Sequence, residues 1–238
     1  VVLLYALALR FDVGVRTAAG AAALFAMHPL VVEPVCWVIG RKDLLSTSLL
    51  LAGLLVLVGR RTASTAPVPL GRWLAGDALC IAAMLAKPSA LTAPGLVWVV
   101  LRCLRPGEPV LRLAGGIAPQ LLAGALIVLT GVAGLHDQGA VVARDRAGVV
   151  LDVLRAWTLQ AQHVVWPRGL IVEYERTAEN DPTRVAIVLA LGATLGLALW
   201  VWRRFPRRAP ERMVVLFVGL AYLPVAGLLP TQHFTADS

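Results

Sequence analysis

The sequence predicts an all-α protein, a polytopic bundle of transmembrane helices. Of its 238 residues, 58% are hydrophobic and 15% are charged, and the mean hydropathy is +0.77. A soluble domain is about half apolar and about one-quarter charged. The apolar residues also fall in long, even runs rich in Val, Leu and Ala, without the alternation of outer-membrane strands. We therefore expect an integral membrane protein.

Eight apolar runs are predicted to be helical: 1–9, 17–27, 44–59, 73–86, 89–101, 113–135, 185–202 and 213–229. Several are shorter than the roughly 20 residues that cross a bilayer straight. A kink is expected at His28-Pro29, after the weakest run. The chain opens within an apolar run and shows no signal-peptide pattern. We therefore expect residues 1–238 to be a partial membrane domain.

Basic residues predict which loops face the cytoplasm. Four inter-helix loops contain 13 of the 22 Lys and Arg residues, and alternating helices place all four on one side. By the positive-inside rule that side is the cytoplasm. These residues are Arg10, Arg16, Arg60, Arg61, Arg72, Arg102, Arg105, Arg112, Arg203, Arg204, Arg207, Arg208 and Arg212. Their placement between apolar runs indicates topology and not nucleic-acid binding.

The run 73–101 allows two interpretations. One is a single span with Lys87-Pro88 at its centre, where a charge costs about 2.5–3.5 kcal/mol or more. That span would also turn the arginines of 203–212 outward. The other is a pair of short helices hinged at Lys87-Pro88. This arrangement places Lys87 at the outer surface and keeps the arginines of 203–212 on the cytoplasmic side. The hinge is the favoured prediction.

The outer segments then carry most of the residues capable of chemistry. They are 28–43, the Lys87 hinge, 136–183 and 230–238, and they hold all four His and ten of the 14 acidic residues. Apolar residues recur at helical spacing from 149 to 165, beside Trp157 and Trp166. This pattern predicts an interfacial helix on the extracytoplasmic face, with His163 on its polar side.

The segment "HPLVVEPVCWVIGRKD", residues 28–43, is the main candidate site. Its sixteen residues include five ionisable groups, which are costly near a membrane unless they have a role: His28, Glu33, Arg41, Lys42 and Asp43. Glu33-Pro34 suits the first turn of a short helix. Asp43 is also placed to cap the next helix, and this interpretation stays open. Lys87 is either a snorkelling side chain or a phosphate contact.

Tyr174, His233 and Asp237 are weaker candidates in outer loops. The chain has no P-loop, GxSxG or HExxH motif, and its three Cys residues show no metal-ligand spacing. The pattern favours an outward-facing site for a membrane-embedded substrate with a charged head.

Two motifs indicate a family. "HPLVVEPVCWVIGRKDLLSTSLLL" and "MLAKPSALTAPGLV", about forty residues on, resemble the core of the transmembrane and tetratricopeptide-repeat O-mannosyltransferases and their bacterial relatives. These enzymes belong to the GT-C glycosyltransferase superfamily. "VVWPRGLIVEY" and "YLPVAGLLPTQHFTADS" resemble later segments in the same order. The resemblance implies transfer of a sugar, usually mannose, from a polyprenyl or dolichyl phosphate to an acceptor hydroxyl, often protein Ser or Thr.

The resemblance also implies roles for the candidate residues. Arg41, Lys42 and Lys87 would bind the lipid phosphate, offsetting the charge on the leaving group, and His28 would shape that pocket. Glu33 or Asp43 would position the acceptor or orient the cations. Tyr174, His233 and Asp237 would be further substrate contacts. The acidic motif that commonly supplies the general base is expected before residue 1, and any tetratricopeptide repeats after residue 238.

The expected partners are a lipid-linked sugar donor, a protein or glycan acceptor, and membrane lipids, with no nucleic acid. No cofactor is indicated, and a divalent metal is left open. The composition points to a bacterial inner membrane, with the site facing the periplasm or cell exterior. Two other function classes stay open: a transporter or flippase for lipid-linked or anionic substrates, and a non-catalytic scaffold. A transporter predicts inverted repeats and charges at the bilayer midplane, and neither is evident.

Overall fold

Every regular element that the structure describes is helical. The computed structural model describes residues 1–11, 13–38, 40–59, 67–105, 109–137, 154, 157–159, 161–164, 166–167 and 184–204. Its helices are α1 (Val2–Arg10), α2 (Val15–Met27), α3 (Val32–Cys36), α4 (Arg41–Val58), α5 (Leu70–Ala86), α6 (Ala93–Leu104), α7 (Val110–Asp137) and α8 (Arg184–Arg204). Two 3-10 helices, Pro29–Val31 and Pro88–Thr92, precede α3 and α6. The all-α prediction is confirmed, and the run 213–229 lies outside the described residues.

Both predicted breaks at X-Pro dipeptides are confirmed. The pair formed by α2 and the helical segment Pro29–Cys36 bends by 65°. His28 (φ −71°, ψ 129°) and Lys87 (φ −153°, ψ 125°) both have extended backbone conformations. A proline clashes with helical backbone at the residue before it, so each helix ends there. Lys87 therefore lies at a helix end, as the hinge interpretation predicts.

Close contact between α4 and α5 forms the centre of the bundle. A Cβ atom at Gly53 would lie 2.8 Å from Cys80 Sγ, and one at Gly76 would lie 2.7 Å from Leu57 Cδ2. Ser46 Oγ donates a hydrogen bond of 2.9 Å across the same interface, to a carbonyl oxygen of α5. Small residues that allow backbones to approach, with a hydroxyl bonded across, are typical of membrane helix pairs.

Arginines from three segments converge on the C-terminal end of α4. They donate to the carbonyl oxygens of residues 56–59: Arg72 Nε to Val56 (2.8 Å), Arg72 Nη2 to Leu57 (2.6 Å), Arg105 Nη2 to Val58 (2.9 Å), and Arg10 Nη1 to Gly59. The last carbonyls of a helix lack intrahelical donors and carry partial negative charge. We call the group of Arg10, Arg72 and Arg105 the arginine end. Three loops predicted to share one side therefore meet at the same end of the bundle.

One described helix is long and apolar enough to cross a membrane. This stretch is Val110–Gly131 in α7, and 17% of its apolar window is buried. Large apolar side chains such as Leu122 (65% exposed) and Leu129 (66% exposed) remain uncovered. The bent pair of α2 and Pro29–Cys36 is a second candidate if it forms one broken span.

Candidate functional site

An ion pair joins the N-terminal end of α4 to the hinge between α5 and α6. The Lys87 ammonium contacts Asp43 Oδ1, and the two side chains are 33% and 32% exposed. The sequence places both residues in outer segments, and the structure brings them into direct contact across 44 residues of chain.

Asp43 does not cap α4, so the capping interpretation is wrong. The N-cap is Gly40, which makes no side-chain capping hydrogen bond. Asp43 is the third residue of the helix, where its backbone N–H bonds to Gly40 O at 2.9 Å. The helix begins three residues before the apolar run because backbone hydrogen bonds, which need no apolar side chain, extend it through Arg41 and Lys42.

Arg41 and Lys42 lie in the first turn of α4, and both are exposed. The amino end of a helix carries partial positive charge, so a cation there costs about 0.3–1 kcal/mol. The Arg41 N–H already bonds to Val38 O at 3.2 Å and the Asp43 N–H to Gly40 O at 2.9 Å, so these two amides are already occupied. We call Arg41, Lys42, Asp43 and Lys87 the cluster. The Asp43–Lys87 pair is neutral overall, so Arg41 and Lys42 give the cluster a net charge of about +2, which suits a phosphate.

Gly40 positions α3 against this cluster and was not predicted from the sequence. A Cβ atom at residue 40 would lie 2.8 Å from Pro34 Cα and 3.0 Å from Pro34 O. Any other residue would push α3 away from the start of α4. The only sequence signal was a glycine directly before "RKD". Glu33 lies in α3 as predicted for Glu33-Pro34, and its side chain is outside the described part of the structure.

His28 uses both ring nitrogens. Nδ1 accepts from the Leu30 N–H at 3.2 Å and caps the 3-10 helix Pro29–Val31. Nε2 lies 3.0 Å from the carbonyl oxygen of Val164. His28 thus links the segment 28–43 to the predicted interfacial helix. Its expected role toward a lipid phosphate stays a prediction.

The described residues of the predicted interfacial helix are helical at 154, 157–159 and 161–164. Trp157 Nε1 donates to Thr194 Oγ1 of α8 at 3.2 Å. His163 is 7% exposed, whereas Val164 is 60% exposed. The expectation that His163 lies on a solvent-facing polar side is wrong, because other parts of the protein cover its side chain.

The structure contains a buried polar pair inside the bundle that was not predicted from the sequence. Gln120 Nε2 donates to Asp77 Oδ1 at 2.7 Å, joining α7 to α5. Asp77 is 5% exposed and Gln120 is fully buried. The sequence shows only an acidic residue early in an apolar run, and it contains no signal that selects Gln120 as the partner.

The remaining candidates, Tyr174, His233 and Asp237, lie outside the described residues. Within the described part of the chain, no three His, Cys, Asp or Glu side chains are placed to hold a metal ion.

No protein-family model, curated protein or solved structure matches this chain. In the part of the chain that the structure describes, the fold is all-helical, with an apolar helix of membrane-spanning length and a cationic cluster at one helix end.

Proposed function

We propose that this chain is the partial core of a polytopic GT-C-type membrane glycosyltransferase. It would move a sugar, with mannose the first choice, from a polyprenyl-phosphate donor to an acceptor hydroxyl on the extracytoplasmic face. The observation that carries the proposal is the exposed cationic first turn of α4, where Arg41 and Lys42 stand beside the Asp43–Lys87 pair.

The two polar ends of α4 support a membrane orientation. Its 18 residues rise about 27 Å, close to the roughly 30 Å of a bilayer's hydrocarbon core. The arginine end lies at one terminus and the candidate site at the other. Under the positive-inside rule the arginine end faces the cytoplasm, so the site faces outward. We infer that α4 and α5 also span a bacterial inner membrane.

The chemistry at the site follows from the charge on the leaving group. Breaking the sugar–phosphate bond leaves a lipid phosphate with increased negative charge. Arg41 and Lys42 would stabilise that charge through charge-assisted hydrogen bonds. Lys87, oriented by Asp43, would be a third cation at the rim of the site. Within 28–43, Glu33 is the acidic side chain that would position the acceptor.

Sugar transfer by the full-length parent protein tests the proposal. The protein would be reconstituted in liposomes with radiolabelled polyprenyl-phosphate mannose, and label on protein would be counted. A lost charged hydrogen bond costs about 1.5–3 kcal/mol, so Arg41→Ala and Lys42→Ala should each slow transfer roughly 10- to 150-fold. Glu33→Ala should slow transfer too.

Arg16→Ala is the matched control, since Arg16 is an exposed arginine of a loop predicted to face the cytoplasm. Equal rates for the Arg16, Arg41 and Lys42 variants would overturn the proposed site. If the wild type transfers no mannose, the assay is repeated with other lipid-linked sugars. Failure with every one of them would reject the glycosyltransferase.

The Asp77–Gln120 pair favours a second candidate, a transporter or flippase for lipid-linked or anionic substrates. Ionisable residues inside membrane helices often mark transport pathways. Asp77→Asn should then abolish substrate movement into liposomes, while a glycosyltransferase with the same substitution should still transfer sugar.

A further inference from the structure

We propose that the arginine end is a binding site for the phosphate of an anionic phospholipid in the cytoplasmic leaflet. The site is separate from sugar transfer, because the candidate donor site lies at the opposite end of α4. The inference rests on the membrane orientation proposed for α4 and not on the glycosyltransferase activity.

Three guanidinium groups are held close together at this end. The arginine end donates its hydrogen bonds to the carbonyl oxygens of residues 56–59, which lie within about one helical turn. Gly59 brings two of the groups to the same residue. Arg10 Nη1 donates to the Gly59 carbonyl oxygen, and a Cβ atom at Gly59 would overlap the Arg72 guanidinium. Gly59 also has φ +72°, which favours glycine.

The positive charge at this end exceeds what the helix end can offset. The C-terminal end of a helix carries about half a negative charge, whereas the three guanidinium groups carry three positive charges, which leaves an excess of more than about two. The surrounding loops add to this excess. The loops 10–16, 59–72 and 102–112 contain eight arginines and two acidic residues, Asp12 and Glu108, a net charge of +6. An anion is therefore attracted to this end of the bundle.

Arg10 and Arg72 keep donors for such an anion. Both are half-buried, and the described hydrogen bonds use one donor of Arg10 and two of Arg72. A guanidinium group carries further N–H donors in a planar fork that matches two phosphate oxygens. Arg105 is 4% exposed, so it would contribute charge and not a direct contact.

A lipid is the phosphate source that this location favours. The cytoplasmic leaflet carries anionic headgroups, and basic sites between membrane helices on that side bind them. Arg10 belongs to α1 and Arg72 to α5, and Arg105 is the C-cap of α6. One headgroup at this end would therefore tie three helices to the end of α4.

Lipid selectivity of the full-length protein tests the site. The protein would be placed in phosphatidylcholine nanodiscs, and electron paramagnetic resonance would measure association of spin-labelled phosphatidylglycerol, with spin-labelled phosphatidylcholine as reference. Arg10→Gln and Arg72→Gln should each weaken phosphatidylglycerol association about tenfold, as expected for a lost charged hydrogen bond. Arg16→Gln and Arg112→Gln remove the same charge at exposed positions of the same loops and should weaken it about twofold or less. Equal losses in all four variants would overturn the site.

A second measurement needs no substitution, because Arg10 and Arg72 also hold the end of α4. A phosphatidylglycerol analogue with a photoreactive headgroup would be crosslinked to the wild type, and the crosslinks should map to 10–16, 59–72 and 102–112. Crosslinks spread evenly over the chain would overturn the site. Release of the spin-labelled lipid by inorganic phosphate at an equal concentration would overturn the lipid as the ligand.

The outcome is separable from that of the proposed function. If phosphatidylglycerol binds as expected but no lipid-linked sugar is transferred, the lipid site is supported and the glycosyltransferase fails. If sugar is transferred but phosphatidylglycerol has no preference over phosphatidylcholine, the lipid site alone fails.

Discussion

Removing the Asp43–Lys87 ion pair should destabilise the bundle by a modest, measurable amount. Exposed pairs contribute about 0.2–1 kcal/mol, whereas breaking a buried pair costs about 3–5 kcal/mol. Both side chains are about one-third exposed, at 33% and 32%, so the pair lies between these limits. We expect Asp43→Ala and Lys87→Ala each to lower the free energy of unfolding by about 1–2 kcal/mol.

A double-mutant cycle isolates the pair from other effects of each substitution. Unfolding would be followed by helical circular dichroism in mixed micelles, for the wild type, both single variants and the double variant. A direct contact predicts a coupling energy of about 1 kcal/mol, so the double variant should lose less than the sum of the single variants. Lys42→Ala, an exposed neighbour, is the control and should change stability by less than about 0.5 kcal/mol. Strictly additive losses would refute the reasoning.

Exchanging the two charges then separates packing from chemistry. Asp43→Lys combined with Lys87→Asp restores an ion pair at the same contact, although it adds a cation to the first turn of α4. If Lys87 only positions the hinge, both stability and sugar transfer should largely recover. If Lys87 contacts the phosphate, as the family resemblance implies, stability should recover and transfer should not.

Two further predictions concern packing inside the bundle. Gly76→Leu should lower the unfolding free energy by about 1–3 kcal/mol through overpacking against α4. Gly71→Leu is the control and should not lower it, because no atom lies within 4 Å of the Cβ position at Gly71. Equal effects in denaturant titrations would contradict the close packing. Asp77→Leu should lower the free energy of unfolding by about 1–3 kcal/mol because it leaves the buried Gln120 amide unpaired, and Asp77→Asn should lower it less. No change in unfolding free energy for Asp77→Leu would show that the pair is not needed for stability.

For the described residues, the sequence by itself determined the helical segments and their breaks at His28 and Lys87. Apolar runs longer than a few turns require helices in a membrane because backbone groups must be satisfied within the segment. The breaks at His28 and Lys87 are equally local, since each precedes a proline. Grouping the loops by charge also predicted that Arg10, Arg72 and Arg105 share one side. The side of a loop follows from counting the helices that alternate across the membrane.

Only the tertiary structure decided which side chains meet. The partners Asp43 with Lys87, Asp77 with Gln120 and His28 with Val164 depend on how each helix is rotated and how closely the helices approach. Those choices follow from small residues such as Gly53 and Gly76, whose effect is visible only once two helices are placed together.

The buried His163 shows the same limit from the other direction. Its helical spacing places it off the apolar stripe, and periodicity does not say whether protein packs over that side. In the structure the side chain is 7% exposed. Local backbone chemistry therefore sets where this chain is helical, and long-range packing sets which of its polar groups are brought together.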